Sequence, residues 1–421
     1  MPRSFLFSKG RRWTFVHLCP FWHLTEPGRV DLLREFTQAV AANVRLEEGE
    51  RAVEQTMVEC YLKPGISTKE LARKTVLPVP VAAAIKKELI RAGALVQKDG
   101  VHCSPEGKAY VEDELGYGGF DQDLYRKLIT DPLCWRSELD DGLPVLRELF
   151  RERPQEDVRI DQSKCTMETS LKRAILGLRE QSLIGKRILC VGDDDLVSIS
   201  IGFLLTRLFP GNAGKHRTRI EVADIDLRFL DYIRSASEQM GAVAECHQAD
   251  LRQSLPPALR GRFDCFYTDP PYTLQGMTLF LSRGIEALRR KKGLSIFLSF
   301  AHKSPDASLE MQRELVRMGL TVKEMIPFFN EYEGAEIIGN RSQMIVLQTT
   351  DSTAPPITLP FEDAIYTGDV KRTRRTYICK RCGRAEAVGY GGAHGTIEEL
   401  KRAGCPSCGH DTFDLTGRTR V

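Results

Sequence analysis

The chain has 421 residues, 42% of them apolar and 28% charged, and a formal net charge of +3. Its length predicts two to four domains, and its nearly even charge excludes an argument for nucleic-acid binding from charge alone. The apolar runs are too short for a signal peptide or a membrane span, which predicts a cytoplasmic protein that makes no membrane contact.

The first quarter of the chain predicts a helical unit with a small hairpin. Residues 1–28 are irregular and are interpreted as an N-terminal extension, either a docking arm or an unordered segment. Residues 29–115 show helical periodicity, then two short helices and a two-strand wing, which is typical of a winged helix-turn-helix domain. The second short helix carries Lys86, Lys87 and Arg91 but no dense basic or amide face, so nucleic-acid binding is possible there and not favoured.

An α/β pattern occupies residues 166–350. The polar stretch 116–165 before it is predicted to be a loop-rich linker, and 351–376 a second linker. Apolar runs alternate with helical segments in between, which predicts a Rossmann-like, parallel, doubly wound sheet. The predicted strands are 187–191, 219–223, 243–248, 263–267, 293–300, 320–324 and 343–348.

An acidic turn follows the first of these strands. Gly192, Asp193, Asp194 and Asp195 stand where nucleotide-binding sheets usually have a glycine-rich loop that receives an anion. Three carboxylates repel an anion and attract a cation. One acid would be enough to cap the following helix, so three adjacent acids favour a cationic ligand.

Further acids end the next strands, where ligands of such sheets bind. Asp224 is in position to accept both ribose hydroxyls, and Asp250 to reach an adenine amino group; either could instead be a helix cap. Asp269 opens an Asp-Pro-Pro-Tyr turn in which two prolines fix the backbone and Tyr272 forms a wall. This spacing resembles that of adenosyl-sulfonium enzymes of the class I methyltransferase type.

The acidic residues favour one of two possible donor substrates. S-adenosylmethionine has a carboxylate, which an acidic turn would repel. Decarboxylated S-adenosylmethionine ends in a bare ammonium, and a polyamine acceptor is likewise cationic. The turn at Gly192 therefore favours the decarboxylated donor, bound through Gly192, Asp193, Asp194, Asp224 and Asp250, with Asp195 or Asp269 accepting the amine proton.

About half of the chain resembles the branched-chain polyamine synthases, the N4-bis(aminopropyl)spermidine synthase family. The matching segments are 161–162, 192–196, 224–226, 263–264, 269–271, 283–285 and 329–332. The resemblance implies transfer of aminopropyl groups to the secondary amine of spermidine, with release of methylthioadenosine. It also implies that Asp195 orients the acceptor amine and takes its proton.

The acceptor is expected to lie between the two turns and an acidic loop. Asp194, Tyr272, Glu331 and Tyr332 are the predicted acceptor-binding residues, and the loop 330–340, with Glu331, Glu333 and Glu336, is expected either to close over the acceptor or to be a solvated loop. This loop lacks the longer aromatic segment expected of the family.

Four cysteines form two pairs near the end of the chain. Cys379 and Cys382, and Cys405 and Cys408, are two Cys-x-x-Cys knuckles, each followed by glycine, which predicts a structural zinc ribbon over residues 377–421. A redox pair and an iron–sulfur site are the alternatives. The other eight cysteines predict buried, reduced thiols.

Two further functions compete with aminopropyl transfer. One is an S-adenosylmethionine-dependent amino-methyltransferase acting on nucleic acid, favoured by the Asp-Pro-Pro-Tyr turn, the winged helix and the ribbon. The other is a DNA-binding regulator that senses an adenosyl metabolite or a polyamine. The chain is also expected to form a homodimer.

Overall fold

The structure, a computed structural model, describes residues 29–131, 133–211, 216–334, 338–363, 365–366, 373–389, 391–395 and 397–420. The predicted N-terminal extension, 1–28, lies outside these ranges. None of the helices in the described ranges has the length and apolar character needed to cross a membrane.

The N-terminal unit consists of helices and one hairpin. Its helices are α1 (Arg29–Val44), α2 (Glu50–Leu62), α3 (Thr68–Thr75), α4 (Val79–Arg91) and α5 (Pro105–Ala109), which continues as a π-helical turn over Tyr110–Glu114. Strands β1 (Leu95–Gln97) and β2 (Val101–Cys103) pair antiparallel. Ser67 caps α3 by accepting a hydrogen bond from the backbone amide of Glu70.

The stretch 116–165, expected to be a loop-rich linker, contains three helices. They are α6 (Gln122–Thr130), α7 (Trp135–Glu138) and α8 (Leu143–Glu152), followed by a 3₁₀ turn (Val158–Ile160) and the short strand β3 (Lys164–Cys165). Leu143, Leu146 and Phe150 recur at helical spacing and are buried in the main core. Polar residues lie between these apolar ones, so the sequence pattern predicts a linker and not a helix.

The α/β unit alternates strands and helices. Its strands are β4 (Arg187–Val191), β5 (Arg219–Asp224), β6 (Ala244–Gln248), β7 (Cys265–Thr268), β8 (Ser295–Phe300), β9 (Leu320–Glu333) and β10 (Arg341–Thr349). Its helices are α9 (Met167–Arg179), α10 (Val197–Leu208), α11 (Leu227–Gln239), α12 (Leu274–Ala287) and α13 (Pro305–Arg317). The two main apolar clusters lie on either side of this sheet.

The sheet has the order β3-β9-β10-β8-β7-β4-β5-β6. Strands β4 to β8 are parallel, whereas β10 runs antiparallel to both β8 and β9. The expectation of a wholly parallel sheet is thus corrected to a mixed sheet. The order is that of a methyltransferase-like α/β fold, in which the reversal of strand order at β4 opens a crevice at the carboxyl ends.

The first four residues of the predicted acidic loop 330–340 are strand. Asn330 pairs with Ser342 and Glu331 with Arg341, so β9 runs to Glu333 before the chain turns. The loop prediction was wrong for 330–333 because polar residues at a sheet edge pair through backbone atoms, whatever their side chains. Glu336 lies outside the described residues.

The N-terminal unit packs against the amino ends of the parallel strands. Arg51 donates hydrogen bonds to the carbonyl oxygens of Gly293 (2.7 Å) and Glu180 (2.6 Å), which precede β8 and β4. Lys186 pairs with Glu54 at 2.7 Å in the same region. These contacts leave the carboxyl ends of the strands free for a ligand.

The C-terminal unit is a small antiparallel sheet. Strands β11 (Thr373–Cys379), β12 (Ala385–Gly389) and β13 (Phe413–Arg420) lie in the order β12-β11-β13, with helix α14 (Ile397–Ala403) between the last two in sequence. Its small core is built from Tyr377, Val388, Leu400 and Phe413 together with cysteines.

Candidate active site

The first acid of the turn after β4 caps a helix. Asp193 Oδ1 accepts a hydrogen bond from the backbone amide of Val197 (2.8 Å), and its Oδ2 accepts from the amide of Ser198 (3.2 Å) and from the Ser198 hydroxyl. These groups begin α10. Asp193, predicted to bind the donor, is 1% exposed and lines neither of the two cavities described below.

The second acid faces the cleft. Asp194 Oδ2 accepts a hydrogen bond from the Ser163 amide at 2.9 Å. Asp224, at the end of β5, is held by two backbone amides: Asp193 N bonds Oδ2 at 2.9 Å and Asp226 N bonds Oδ1 at 2.8 Å. Each Asp224 oxygen keeps a lone pair for a further donor.

The third acid is paired with a buried arginine that the sequence analysis did not identify. Arg173 on α9 bonds Asp195 Oδ2 through Nη1 (2.5 Å) and Asp269 Oδ2 through Nη2 (2.9 Å). Its Nε bonds the Asn330 side-chain oxygen at 2.9 Å. The Arg173 and Asp195 side chains are only 2% and 3% exposed. Asp195 Oδ1 is buried without a hydrogen-bond partner among the described residues.

Two tyrosines extend this network. The Tyr332 hydroxyl donates to Asp269 Oδ2 (2.7 Å) and lies 3.1 Å from Arg173 Nη2. The Tyr272 hydroxyl donates to Tyr332 at 2.8 Å. The Tyr272 ring packs edge-on against Phe300, and the Lys303 ammonium lies 6.0 Å from its centre. Tyr272 thus belongs to a hydrogen-bonded chain that ends at Asp269.

Two cavities meet at Gly192, Asp194 and Asp269. The outer cleft has a volume of about 530 Å³, and the inner cavity one of about 260 Å³. The outer cleft is also lined by Ile160, Asp161, Gln162, Asp224, Ile225, Asp250, Leu251, Arg252, Pro271, Phe280, Ile365 and Tyr366. The inner cavity is also lined by Arg173, Asp195, Val197, Tyr267, Thr268, Phe297, Ser299 and Met344.

One side of the outer cleft is covered by a segment that follows the α/β unit. Thr273 Oγ1 donates to the Ile365 carbonyl at 2.7 Å, and Phe361 N donates to the Arg252 carbonyl at 2.8 Å. The buried Arg283 donates to the Leu359 carbonyl at 2.9 Å. These bonds hold Tyr366 at the rim of the cleft.

Asp250 lines the cleft with its carboxylate already engaged. Arg252 bonds both of its oxygens through Nε and Nη2, and the Arg252 amide bonds Oδ1. Burial raises the pKa of Asp250, but the Arg252 hydrogen bonds outweigh it and hold the pKa below its usual range. Asp250 is therefore an anion that keeps limited capacity for a ligand.

Burial has the opposite result for the other acids. It raises the pKa of Asp269 to about 7, with Asp195 adding to the rise and Arg173 opposing it. It raises the pKa of Asp193 to about 7 as well. The pKa of Asp194 lies well above its usual range through burial and the nearby Asp195 and Asp224 carboxylates. Buried carboxylates with raised pKa values favour a site that receives a cation.

The structure brings most predicted site residues together, and Glu331 stays apart. Its side chain is about half exposed, lines neither cavity and lies 3.5 Å from Arg341 across the hairpin. The sequence analysis missed Arg173, Arg252 and Tyr366. Arg173 carried one signal: a charged residue among apolar ones on the inward face of a helix.

The four paired cysteines also come together. Their sulfur atoms all lie within 4.8 Å of one another, with Cys379 and Cys408 3.6 Å apart and Cys382 and Cys405 3.5 Å apart. A second group of possible metal ligands consists of Glu221, Glu245 and His247. Glu221 is already paired with His247 and with Arg187.

The family model described as the branched-chain polyamine synthase A C-terminal domain matches residues 142–363, more than half of the chain. The chain belongs to the branched-chain polyamine synthase family. Within this family, the N(4)-bis(aminopropyl)spermidine synthase of Thermococcus kodakarensis is 31% identical over 267 residues, which cover 61% of this chain and 70% of that protein.

Three further proteins are similar to this chain. An uncharacterized protein of Methanocaldococcus jannaschii is 37% identical over 392 residues, which cover 91% of this chain and 93% of that protein. The same organism has an N(4)-bis(aminopropyl)spermidine synthase that is 29% identical over 258 residues, 61% of this chain and 70% of that protein. The branched-chain polyamine synthase of Thermus thermophilus, solved with N4-aminopropylspermidine and 5'-methylthioadenosine, is 24% identical, covering 80% of this chain and 97% of that chain at a TM-score of 0.47.

Proposed function

We propose that the chain is an aminopropyltransferase that moves aminopropyl groups from decarboxylated S-adenosylmethionine to the secondary amine of spermidine. The observation that carries this proposal is the set of buried acids where two cavities meet. Asp194 and Asp269 line both cavities, Asp195 lines the inner one, and Arg173 forms ion pairs with Asp195 and Asp269. Such a site favours a cationic donor and a polycationic acceptor, which agrees with the family of the chain.

The outer cleft holds the nucleoside part of the donor in this proposal. Asp224 accepts the ribose hydroxyls with its two remaining lone pairs, Asp250 and Arg252 lie on the adenine side, and Gly192 lets the backbone approach the ligand because its φ is +73°. Asp194 lines both cavities and faces the donor ammonium. The carboxylate of intact S-adenosylmethionine would meet Asp194 there.

The transfer is a single displacement. The lone pair of the acceptor nitrogen attacks the aminopropyl carbon that is bonded to the sulfonium sulfur. The carbon–sulfur bond breaks, its electron pair stays on sulfur, and neutral methylthioadenosine leaves. The amine proton passes to Asp195, whose Oδ1 has no partner among the described residues, or to Asp269.

The competing nucleic-acid amino-methyltransferase has less support. Its donor must place a carboxylate at the acidic turn. On α4, Lys86 donates to Thr68 Oγ1 at 2.9 Å and Arg91 bonds Glu88 at 2.8 Å, which leaves fewer cations for phosphate contacts. Residues 29–115 are proposed to be a winged helix that packs on the sheet rather than reading nucleic acid.

A direct assay tests the proposal. Purified protein is incubated with spermidine and either decarboxylated or intact S-adenosylmethionine, and products are separated by mass. Aminopropylated spermidine is expected with the decarboxylated donor alone. Methanocaldococcus jannaschii has a protein named N(4)-bis(aminopropyl)spermidine synthase, 29% identical to this chain, and a second relative that is 37% identical. The assay therefore includes other polyamines as acceptors. Methyl transfer to nucleic acid, without aminopropyl transfer, would support the competing function.

The four cysteines are proposed to hold a structural zinc ion. Four thiolates at about 2.3 Å from zinc stand about 3.8 Å apart, which agrees with the two short sulfur distances of 3.5 and 3.6 Å. Gly383 and Gly409 follow the knuckles with φ values of +73° and +70°, as the tight turn requires. With four cysteine ligands the metal has no open position for catalysis.

The homodimer remains a prediction. The side chains of Val322, Met325 and Phe328 on β9 are apolar and exposed, and we propose that they contact a second copy. Light scattering at several protein concentrations tests it, and charge substitutions on these residues should favour the monomer.

A further inference from the structure

Arg173 is a full cation at the centre of a site that has to bind cations. Its guanidinium uses all three nitrogens: Nη1 bonds Asp195, Nη2 bonds Asp269 and Tyr332, and Nε bonds Asn330. A stable core could fill this position with an apolar residue at less desolvation cost. The charge therefore calls for a reason connected with the reaction.

The reaction poses an electrostatic problem at this point. Only a neutral amine has the lone pair that attacks the donor carbon, whereas buried carboxylates favour the protonated, cationic amine. Asp194, Asp195 and Asp269 would together hold the acceptor in its unreactive form. A cation beside a reacting amine has the opposite effect and favours the neutral base.

We infer that Arg173 is a positioning residue that keeps the acceptor amine neutral while it holds Asp195 and Asp269 in place to accept the proton. This inference rests on the proposed aminopropyl transfer. Arg173 bonds Asp195 through Oδ2, and Oδ1 has no hydrogen-bond partner among the described residues, so Oδ1 is the oxygen left to take the proton in a cavity that Asp195 and Arg173 both line. The charged pair Arg173–Asp195 thus orients one oxygen and contributes no net charge, and Asp194 remains for the ammonium groups that do not react.

Ionisable groups surround Arg173. Asp195 after β4, Asp269 after β7, Tyr332 on β9, Cys165 on β3 and Lys172 on α9 interact with its charge, and Asp194 and Tyr272 lie next to the two acids that it bonds. Burial holds the pKa of both tyrosines and of Cys165 well above their usual ranges, so these three stay neutral near pH 7. The pKa of Asp269, raised by burial to about 7, also lies near the pH of the assay, which makes a pH profile alone insufficient.

The test combines two variants with two acceptors. In Arg173→Gln, kcat at pH 7 is expected to fall at least tenfold, the acidic limb of the kcat profile to move up by about one to three pH units, and the KM for spermidine not to rise. Arg173→Lys retains the positive charge, so the acidic limb of its kcat profile is expected to lie at the same pH as in the wild type. Fluorine atoms near the secondary amine of a spermidine analogue make that amine less basic, so more of it is neutral without Arg173. Arg173→Gln is therefore expected to lose less activity with this analogue than with spermidine.

The control is a second arginine, away from both cavities. Arg51 bonds the carbonyl oxygens of Gly293 and Glu180 at the amino ends of the parallel strands. Arg51→Gln is expected to lower the thermal midpoint without moving the limb, and methylthioadenosine binding by calorimetry reports whether each variant is folded. An unmoved limb in Arg173→Gln, or an equal loss with both acceptors, would overturn this inference alone. A wild-type protein that forms no aminopropylated product would overturn it together with the proposed function. If Arg173→Gln does not fold, the decision passes to Arg173→Lys, which overturns the inference if its limb moves as far as one pH unit.

Discussion

At the scale of single residues, three adjacent carboxylates have three different environments. Asp193 satisfies the first amides of α10, Asp194 faces both cavities, and Asp195 is fixed by Arg173. Sequence alone predicts that an acidic turn meets a cation. It does not predict which acid does so, because neighbouring side chains in a turn point in different directions.

Asp195→Asn is expected to reduce aminopropyl transfer by at least about 100-fold, because the amide no longer accepts the amine proton. Binding of methylthioadenosine, measured by calorimetry, should stay within a few-fold, since Asp224 and the cleft are unchanged. The matched control is Asp193→Asn, two residues away, which keeps a helix cap and should keep most of the activity. Equal losses in the two variants would contradict the separate roles.

At the scale of elements, the sequence predicted most strands and the acids at their ends, because buried parallel strands are continuous apolar runs. It failed where partners decide the outcome. The direction of β10 depends on pairing with β8, and the strand at Asn330–Glu333 exists through backbone bonds to β10. Arg173 reaches Asp195 and Asp269 because α9 packs against both acidic turns, and the sequence does not show this packing.

Helix α9 also depends on a small residue. A Cβ atom at Gly177 would lie 1.8 Å from the Tyr267 hydroxyl. Gly177→Ala is therefore expected to lower the free energy of unfolding by about 1–3 kcal/mol, measured by denaturant titration. Helix propensity alone would raise it by about 1 kcal/mol, so a stabilised variant would contradict this packing.

The C-terminal sheet is expected to depend on its metal. Metal analysis should find about one zinc ion per chain, and Cys405→Ser should lose it and lower the stability of residues 373–420, as followed by hydrogen exchange. Transfer activity should change little, because all four ligands come from the C-terminal unit. Ser407→Ala, inside the same knuckle, is the control and should retain zinc. A chain that binds no zinc but contains iron and sulfide would contradict the assignment.

At the scale of the whole molecule, the buried acids set the pH dependence of stability. The unfolded chain loses these protons near pH 4, whereas burial holds the pKa of Asp193 and Asp269 at about 7 and raises that of Asp194 and Asp224. The folded state thus binds more protons between those values, and its stability falls as the pH rises. Burial lowers the pKa of His216, so this histidine makes stability rise with pH below pH 6.5. It is a single group, whereas four acids act in the other direction.

The thermal midpoint of the ligand-free protein is accordingly expected to fall from pH 5 to pH 8. Spermidine and the decarboxylated donor should raise it more at pH 8 than at pH 5, because cations stabilise the ionised acids. Asp269→Asn should flatten the pH dependence and serves as the control. A midpoint that rises steadily from pH 5 to pH 8 would show that these acids are ionised in the ligand-free fold.

The segment that covers the cleft has a consequence for the C-terminal unit. Tyr366 is held at the rim of the cleft, and only residues 367–372 separate it from the start of β11. Even a fully extended tether of that length spans no more than about 25 Å. Any partner that the cysteine sheet bound would therefore be kept beside the cleft at an effective concentration on the order of millimolar. Residues 371–421 contain eleven lysines and arginines against five aspartates and glutamates, so an anionic partner is the one this tether would concentrate.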